Sequence, residues 1–197
     1  MWALSDAALV AAGWWLRDFH AAVASFIAPP AAHWHGGREV LGRGEIIGHH
    51  DAGPYNAVWR PSSSGGADRR GRGEGRPVGF IDWDLAGPCL PVENLAFVAL
   101  TWPPLTARDV AVRDGFPSDL DRSRRLRMLL HAYGWTGTAE EVLAAVRQRA
   151  LEHAAGLRAA AHDGYQPAVR LVAEGVADAF DRAVVELDAA DDDLLAP

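Results

Sequence analysis

Apolar residues recur at roughly helical spacing near the start of the chain, with polar residues between them. This repeat predicts a helix that begins at Ser5 or Asp6, either of which can cap it, and runs to about Phe26. Pro29 and Pro30 end the pattern because proline cannot continue a helix. The apolar positions are Leu9, Val10, Trp14, Leu16, Phe19, Val23 and Phe26.

Short apolar runs in the middle of the chain predict strands rather than helices. Residues 45–47 predict a strand that leads into a polar loop, and residues 57–60 and 77–81 predict a hairpin. Residues 61–76 lie between the two hairpin strands and are rich in serine, glycine and arginine, which predicts a disordered loop. Residues 88–91 predict a turn.

Helical patterns fill the second half of the chain. They predict a buried helix from residue 95 to 102, and a helix from 118 to 133 that Ser118 caps and Gly134 ends. A capping box at Thr138 opens a helix to about residue 162, and a further helix spans 167–187. Residues 188–197 are expected to form a frayed tail.

The composition fits one domain over residues 1–197. The chain has 197 residues, of which 49% are hydrophobic and 23% charged, enough for one medium-sized core. Its net charge of −7 argues against nucleic acid as a partner, and no apolar run has the length of a membrane span. The single cysteine, Cys89, excludes an internal disulfide and indicates a reducing compartment, so we expect a cytoplasmic protein.

Two polar segments carry candidate chemistry. In the first, which reads His-x-Asp-x-x-x-x-Asn, Asn56 follows Asp51 by five residues. In the second, the apolar run 79–81 ends in Asp82, and Asp84 follows. In this order the segments resemble the catalytic loop and metal-binding segment of kinase-like phosphotransferases, most closely the aminoglycoside phosphotransferase family. The flanking residues that agree are Pro54-Tyr55, Ala86-Gly87-Pro88 and Asn94-Leu95-Ala96.

The resemblance implies a fold, a reaction and a set of site residues. The fold would be a predominantly helical α+β domain, the C-terminal lobe of a kinase-like enzyme with a catalytic β-hairpin at one edge. Asp51 would be the catalytic base, while Asn56 and Asp82 would bind Mg²⁺ with Asp84 as an auxiliary carboxylate. The cofactors would be Mg²⁺ and ATP or GTP, and the substrate a small hydroxyl-bearing molecule.

The sequence departs from the family in several ways. All 19 residues of the Lys+Arg total are arginine, whereas kinase-like enzymes hold the α- and β-phosphates with a lysine on an N-terminal β-lobe. Because the motif begins near residue 49, we expect that lobe to be absent. Asn94 stands where the family usually has an aspartate that anchors the catalytic loop, and His50 replaces a small or amide residue.

These departures leave two functions open. One is a phosphotransferase that moves a phosphoryl group from a nucleoside triphosphate to a hydroxyl of a small molecule. The other is a catalytically inactive remnant or binding module of that family. In either case we expect weak binding of magnesium–nucleotide, with a dissociation constant of about 1 mM.

Charge and apolar surface suggest possible partners. Residues 61–76 contain four arginines and two acidic residues, a net charge of +2, so the rest of the chain carries −9. This balance favours a cationic acceptor, and the basic loop is either solvated or in contact with nucleotide phosphates. Trp14 and Trp15 point about 100° apart on a helix, so at least one of them or Trp2 should be exposed. An apolar patch there would favour self-association or a partner on the face left by the missing lobe.

A transition-metal site is the remaining alternative. Histidines and an aspartate cluster in the sequence, but their spacing matches no standard zinc pattern, so loop and surface histidines are the better interpretation. The residues concerned are His33, His35, His49, His50 and Asp51.

Overall fold

The computed structural model describes residues 5–36, 38–61, 75–190 and 194. Within these residues the chain forms seven α-helices and four short strands, which confirms the predicted α+β fold dominated by helices. The strands form two separate antiparallel pairs. None of the helices in the described ranges is both long and apolar enough to cross a membrane.

In the described residues all four strands lie between the first α-helix and the second, and helices alone follow. The helices are α1 (Asp6–Val23), α2 (Pro91–Thr101), α3 (Arg108–Arg113), α4 (Arg122–Tyr133), α5 (Ala139–His162), α6 (Gln166–Ala173) and α7 (Val176–Ala189). The strands are β1 (Ile46–Gly48), β2 (Ala57–Pro61), β3 (Gly75–Phe80) and β4 (Gly87–Cys89).

The first helix begins as predicted and packs against α4. Ser5 caps it by accepting a hydrogen bond from the Ala8 amide at 3.1 Å, and the helix ends at Val23, short of the predicted Phe26. Gly13 allows the close approach of α4, because a Cβ at this position would lie 2.8 Å from the Cβ of Ala132. The buried face of α1 consists of Ala8, Leu9, Ala12, Gly13, Leu16 and His20.

The predicted hairpin is confirmed. Strands β2 and β3 pair in antiparallel fashion with Ala57 opposite Phe80, and the register shifts between Val58 and Trp59. Of the predicted disordered loop, residues 62–74 lie outside the described residues, while its ends belong to the two strands.

The second strand pair corrects the prediction of a turn at residues 88–91. Strand β4 pairs with β1, with Ile46 opposite Cys89, and α2 begins directly afterwards at Pro91. A Gly-Pro-Cys segment has no local strand signal, so its extended conformation depends on the distant partner strand.

Two predictions for the helical half need correction, and one helix was not predicted. Helix α4 begins later than predicted because Asp121, not Ser118, caps it by accepting from the Arg124 amide at 2.8 Å. The helix predicted over 167–187 is two helices, separated at Gly175, whose φ of 78° is left-handed. The structure also has α3, which was not predicted, whereas the capping box at Thr138 is confirmed.

The chain end is partly described. Helix α7 runs through Asp188 to Ala189, and Leu194 is buried against the core. The rest of the predicted frayed tail, residues 191–193 and 195–197, lies outside the described residues.

The core lies between the helices and the β2–β3 hairpin. Helix α2 is buried at every position from Asn94 to Leu100, because α5 packs on one side and the strands on another. Helix α1 packs against both α4 and β3. This packing places the segments that follow β1 and β3 at the same edge of the helical layer.

Candidate functional site

Two loops form the candidate site: the first loop (residues 49–56) follows β1, and the second loop (residues 81–86) follows β3. The hairpin holds them together because β2 begins directly after the first loop and β3 ends directly before the second. The Ile81 amide donates to the carbonyl oxygen of Asn56 at 2.9 Å, which extends the ladder by one more bond.

His49 links the two loops from inside. Its side chain is 0% exposed, and its Nδ1 lies 3.3 Å from the Asp51 amide, which donates to it. Nε2 must therefore carry the proton, and it donates to the carbonyl oxygen of Ile81 at 2.9 Å. Burial lowers the pKa of His49, in agreement with a neutral ring. The Trp83 ring packs against the imidazole, with the two ring centroids 4.3 Å apart.

Asp51 is held by two neighbours in its own loop. The Tyr55 hydroxyl donates to its Oδ1, and the Asn56 side-chain amide donates to its Oδ2 at 2.9 Å and to its backbone carbonyl oxygen at 3.0 Å. Burial raises the pKa of Asp51, the Tyr55 and Asn56 hydrogen bonds oppose this rise, and the charge of Asp82 adds to it. The carboxylate is thus half-buried and oriented by two hydrogen bonds.

Backbone strain marks both loops. His50 and Asp82 have φ values of 63° and 65°, and they are the non-glycine residues with positive φ in the described part of the chain. Each stands two positions after the end of a strand, β1 or β3. Such conformations cost about 1–2 kcal/mol for residues with a Cβ, and they concentrate at functional sites where surrounding contacts hold them.

The contacts that hold His50 come from β4 and α5. The Nε2 of His50 donates to the Gly87 carbonyl oxygen at 3.1 Å. The Arg149 guanidinium donates to the backbone carbonyl oxygen of His50 at 2.9 Å. Burial, with the positive charge of Arg149, lowers the pKa of His50 to about 4. His50 is therefore a neutral structural anchor for the first loop.

Trp102 supports the first loop from the end of α2. Its indole Nε1 donates to the carbonyl oxygen of Ala52 at 2.9 Å, and the buried Arg125 donates to the Trp102 carbonyl oxygen at 2.8 Å. The sequence did not identify Arg149, Trp102 or Arg125 as part of the site. No local pattern could have done so, since Arg149 lies 99 residues from its partner in the loop.

Asn94 does not contact the first-loop backbone. Its Oδ1 accepts from His20 Nε2 at 2.9 Å, and the other ring nitrogen of His20 lies 2.8 Å from the Tyr133 hydroxyl. Asn94 thus connects α2 to α1 and α4. It lies beneath Gly48, where an added Cβ would be 3.3 Å from the Asn94 side chain and 2.4 Å from the Cys89 sulfur.

The residues expected to bind Mg²⁺ bear carboxylate and amide oxygens. Asp82 and Asp84 are exposed carboxylates on the second loop, and Asn56 lies at the end of the first. Because both amide hydrogens of Asn56 bond to Asp51, its Oδ1 is the side-chain atom that can face a cation. These are the hard oxygen ligands that Mg²⁺ prefers.

The histidine-based transition-metal alternative finds no support. Both ring nitrogens of His49 are engaged in hydrogen bonds, and Nε2 of His50 bonds to Gly87. Among the described residues no group of three or more His, Cys, Asp or Glu side chains could hold a metal ion.

A cleft of about 370 Å³ adjoins the first loop at Tyr55. Its lining is mostly apolar and comes from the first loop, the end of α2 and the end of α3. The lining residues are Pro54, Tyr55, Thr101, Pro104, Thr106, Asp114 and Phe116. A larger cavity of about 500 Å³ lies at residues 26–43, and neither loop contributes to it.

No protein-family model matches the chain, and no solved structure matches it. The chain is similar to the trifolitoxin immunity protein of Rhizobium leguminosarum bv. trifolii, with 38% identity over 133 residues. The match covers 66% of this chain and 46% of that protein, so the chain spans about half the length of this relative.

Proposed function

We propose that this chain is the C-terminal lobe of a phosphotransferase of the aminoglycoside phosphotransferase type. It would move a phosphoryl group from ATP or GTP to a hydroxyl of a small molecule in the cytoplasm. The observation that carries this proposal is the joint arrangement of Asp51 and Asp82. An oriented, half-buried carboxylate stands in one loop, and a second carboxylate stands in the adjacent loop, which the buried His49 ties to the first by hydrogen bonds.

The residues present would perform separate tasks. Asp51 would accept the hydrogen bond of the attacking hydroxyl, orient it and take its proton. Asn56 would fix the rotamer of Asp51, while Asp82, Asp84 and the Oδ1 of Asn56 would hold Mg²⁺. When bound, Mg²⁺ supplies charge neutralisation on the phosphates.

The test is phosphoryl transfer by the purified chain. The chain is incubated with Mg²⁺ and ATP or GTP and with a panel of alcohols that includes an aminoglycoside, and the products are followed by phosphorus NMR. Asp51→Asn should lower the rate by about a hundredfold or more, and Asp82→Asn should act similarly. Asp119→Asn, at an exposed carboxylate outside the loops, is the control. A rate that Asp51→Asn leaves unchanged would exclude this mechanism.

A second candidate function is immunity to a toxin, through binding rather than catalysis. It is favoured by the 38% identity with the trifolitoxin immunity protein. It corresponds to the alternative of an inactive binding module, since loops held this firmly could present a recognition surface without turnover.

One experiment separates the two candidates. Wild-type chain and Asp51→Asn are expressed separately in a trifolitoxin-sensitive strain, and growth is measured over a toxin concentration series. Protection by both proteins would indicate binding, whereas protection by the wild type only would indicate phosphoryl transfer. No protection by either would exclude the immunity candidate.

A further inference from the structure

We propose that the cleft beside Tyr55 is the acceptor site, and that it takes a small amino alcohol with an apolar body. The acceptor's hydroxyl would approach Asp51, its body would lie against the apolar wall, and its ammonium group would face Asp114. This assignment rests on the proposed function and names the substrate class for it.

The position of the cleft follows from the first loop. Pro54 and Tyr55 line one wall of the cleft and belong to the 3₁₀ turn Pro54–Asn56, whose other residue, Asn56, orients Asp51 together with Tyr55. Tyr55 connects the cleft to Asp51, because it lines the cleft and its hydroxyl donates to Asp51 Oδ1. A molecule in the cleft is therefore one side chain away from the proposed base.

The lining determines which molecules fit. Pro54, Pro104 and Phe116 offer apolar surface, and Asp114 is the carboxylate among the lining residues. Thr101 already donates its hydroxyl proton to the Phe97 carbonyl oxygen at 3.1 Å. A polyhydroxylated sugar would bury several hydroxyls here without partners, each at a cost of about 1–3 kcal/mol. A compact apolar molecule with one cationic group matches the wall better.

The cleft is preformed because its wall shares supports with the first loop. Phe116 is buried, and the Arg125 guanidinium lies over its ring at 5.4 Å. The same Arg125 donates a hydrogen bond to the Trp102 carbonyl oxygen, and the Trp102 indole donates one to the Ala52 carbonyl oxygen in the first loop. The apolar wall and the loop that carries Asp51 are thus fixed by one chain of contacts.

The Tyr55 hydroxyl makes to Asp51 the kind of hydrogen bond that the acceptor hydroxyl would make. Binding of the acceptor would therefore replace one donor to Oδ1 by another. In the reaction the acceptor oxygen forms a bond to the γ-phosphorus of the nucleoside triphosphate. The bond from that phosphorus to the bridging oxygen breaks, its electrons leave with the nucleoside diphosphate, and the hydroxyl proton passes to Asp51.

The test measures binding without nucleotide, so it is independent of turnover. The ¹⁵N-labelled chain is titrated with phenylglycinol, with its matched analogues phenethyl alcohol and phenethylamine, and with glucose. Phenylglycinol should shift the amides of Thr101, Thr106 and Phe116, and it should bind more tightly than each analogue. Asp114→Asn should weaken it by about tenfold, and the exposed control Asp119→Asn should not.

Several results would overturn the assignment. They are shifts confined to other surfaces, equal binding of glucose, binding that Asp114→Asn leaves unchanged, or no binding by any of the probes. If phenylglycinol binds as expected while no transfer occurs with nucleotide, the cleft assignment stands as a binding site and the proposed phosphotransferase function fails.

Discussion

His49 donates its Nε2 proton to the carbonyl oxygen of Ile81 at 2.9 Å, from a position with no solvent exposure. This bond joins the loop that contains Asp51 to the residue directly before Asp82. Because the Nδ1 of the same ring accepts from the Asp51 amide, one neutral imidazole fixes both candidate loops. The distance between Asp51 and Asp82 therefore depends on a buried histidine that bonds to the backbone of the two loops and to neither carboxylate.

Replacing His49 should loosen the site and destabilise the fold. His49→Ala removes a buried hydrogen bond and leaves a cavity, so we expect the free energy of unfolding to fall by about 2–4 kcal/mol. His49→Gln can still donate an amide proton to Ile81 and should recover part of the loss. Urea denaturation monitored by circular dichroism measures both variants. Equal stability of His49→Ala and the wild type would contradict this role.

Removing the Tyr55 hydroxyl should raise the pKa of Asp51. Burial raises the pKa of Asp51 and the Tyr55 hydrogen bond lowers it, so removing that hydrogen bond in Tyr55→Phe should let the pKa rise further. We expect the carboxyl carbon of Asp51 to titrate at higher pH in the variant, and the acid limb of any activity profile to move in the same direction. Carbon NMR titration measures this, with Tyr165→Phe, at another exposed tyrosine, as the control. A lower Asp51 pKa in Tyr55→Phe would refute the prediction.

Acid should destabilise the fold through buried histidines. Burial lowers the pKa of His20 from 6.5 to about 4, although its hydrogen bond to Asn94 opposes the shift. Between these pH values the unfolded chain binds the proton and the folded chain does not. Stability is therefore fully present above about pH 6.5 and is lost as the pH falls towards 4, by about 1.4 kcal/mol per pH unit for each such histidine.

The contribution of His20 can be isolated by substitution. His50 and His153 add to the same slope, because burial lowers their pKa values to about 4 and about 3. His20→Gln should reduce the pH dependence of the unfolding free energy by the contribution of one histidine, about 1.4 kcal/mol per pH unit between pH 6.5 and 4. Guanidinium unfolding at a series of pH values measures the slope. An identical slope in His20→Gln and the wild type would show that this ring does not titrate as described.

Trp14 should promote self-association. The prediction that one of the N-terminal tryptophans is exposed is confirmed, because Trp14 is 52% exposed while Trp15 packs against the core beside Phe80. Trp2 lies outside the described residues. Trp14→Ser should shift a concentration-dependent sedimentation profile towards monomer without loss of stability, and Tyr165→Ser is the matched control at a remote exposed aromatic. A wild-type chain that stays monomeric at every concentration would remove the case for this interface.

Elements whose signals are local could be predicted from the amino-acid sequence. The apolar repeat of α1, its cap at Ser5 and the capping box at Thr138 each involve residues within a few positions, and all three are confirmed. The hairpin was predictable because two short apolar runs flank a segment rich in serine and glycine. The loops that carry Asp51 and Asp82 were identified as candidate chemistry by their order and spacing, and their roles remain predictions.

Features that join distant positions depend on how the helices and strands pack together. Strand β4 is extended because β1 pairs with it, and His50 keeps its left-handed backbone with help from Arg149 on α5. The cleft beside Tyr55 exists because the ends of α2 and α3 meet the first loop. Each depends on packing between residues that are tens of positions apart, whereas a sequence pattern records only the preferences of neighbours.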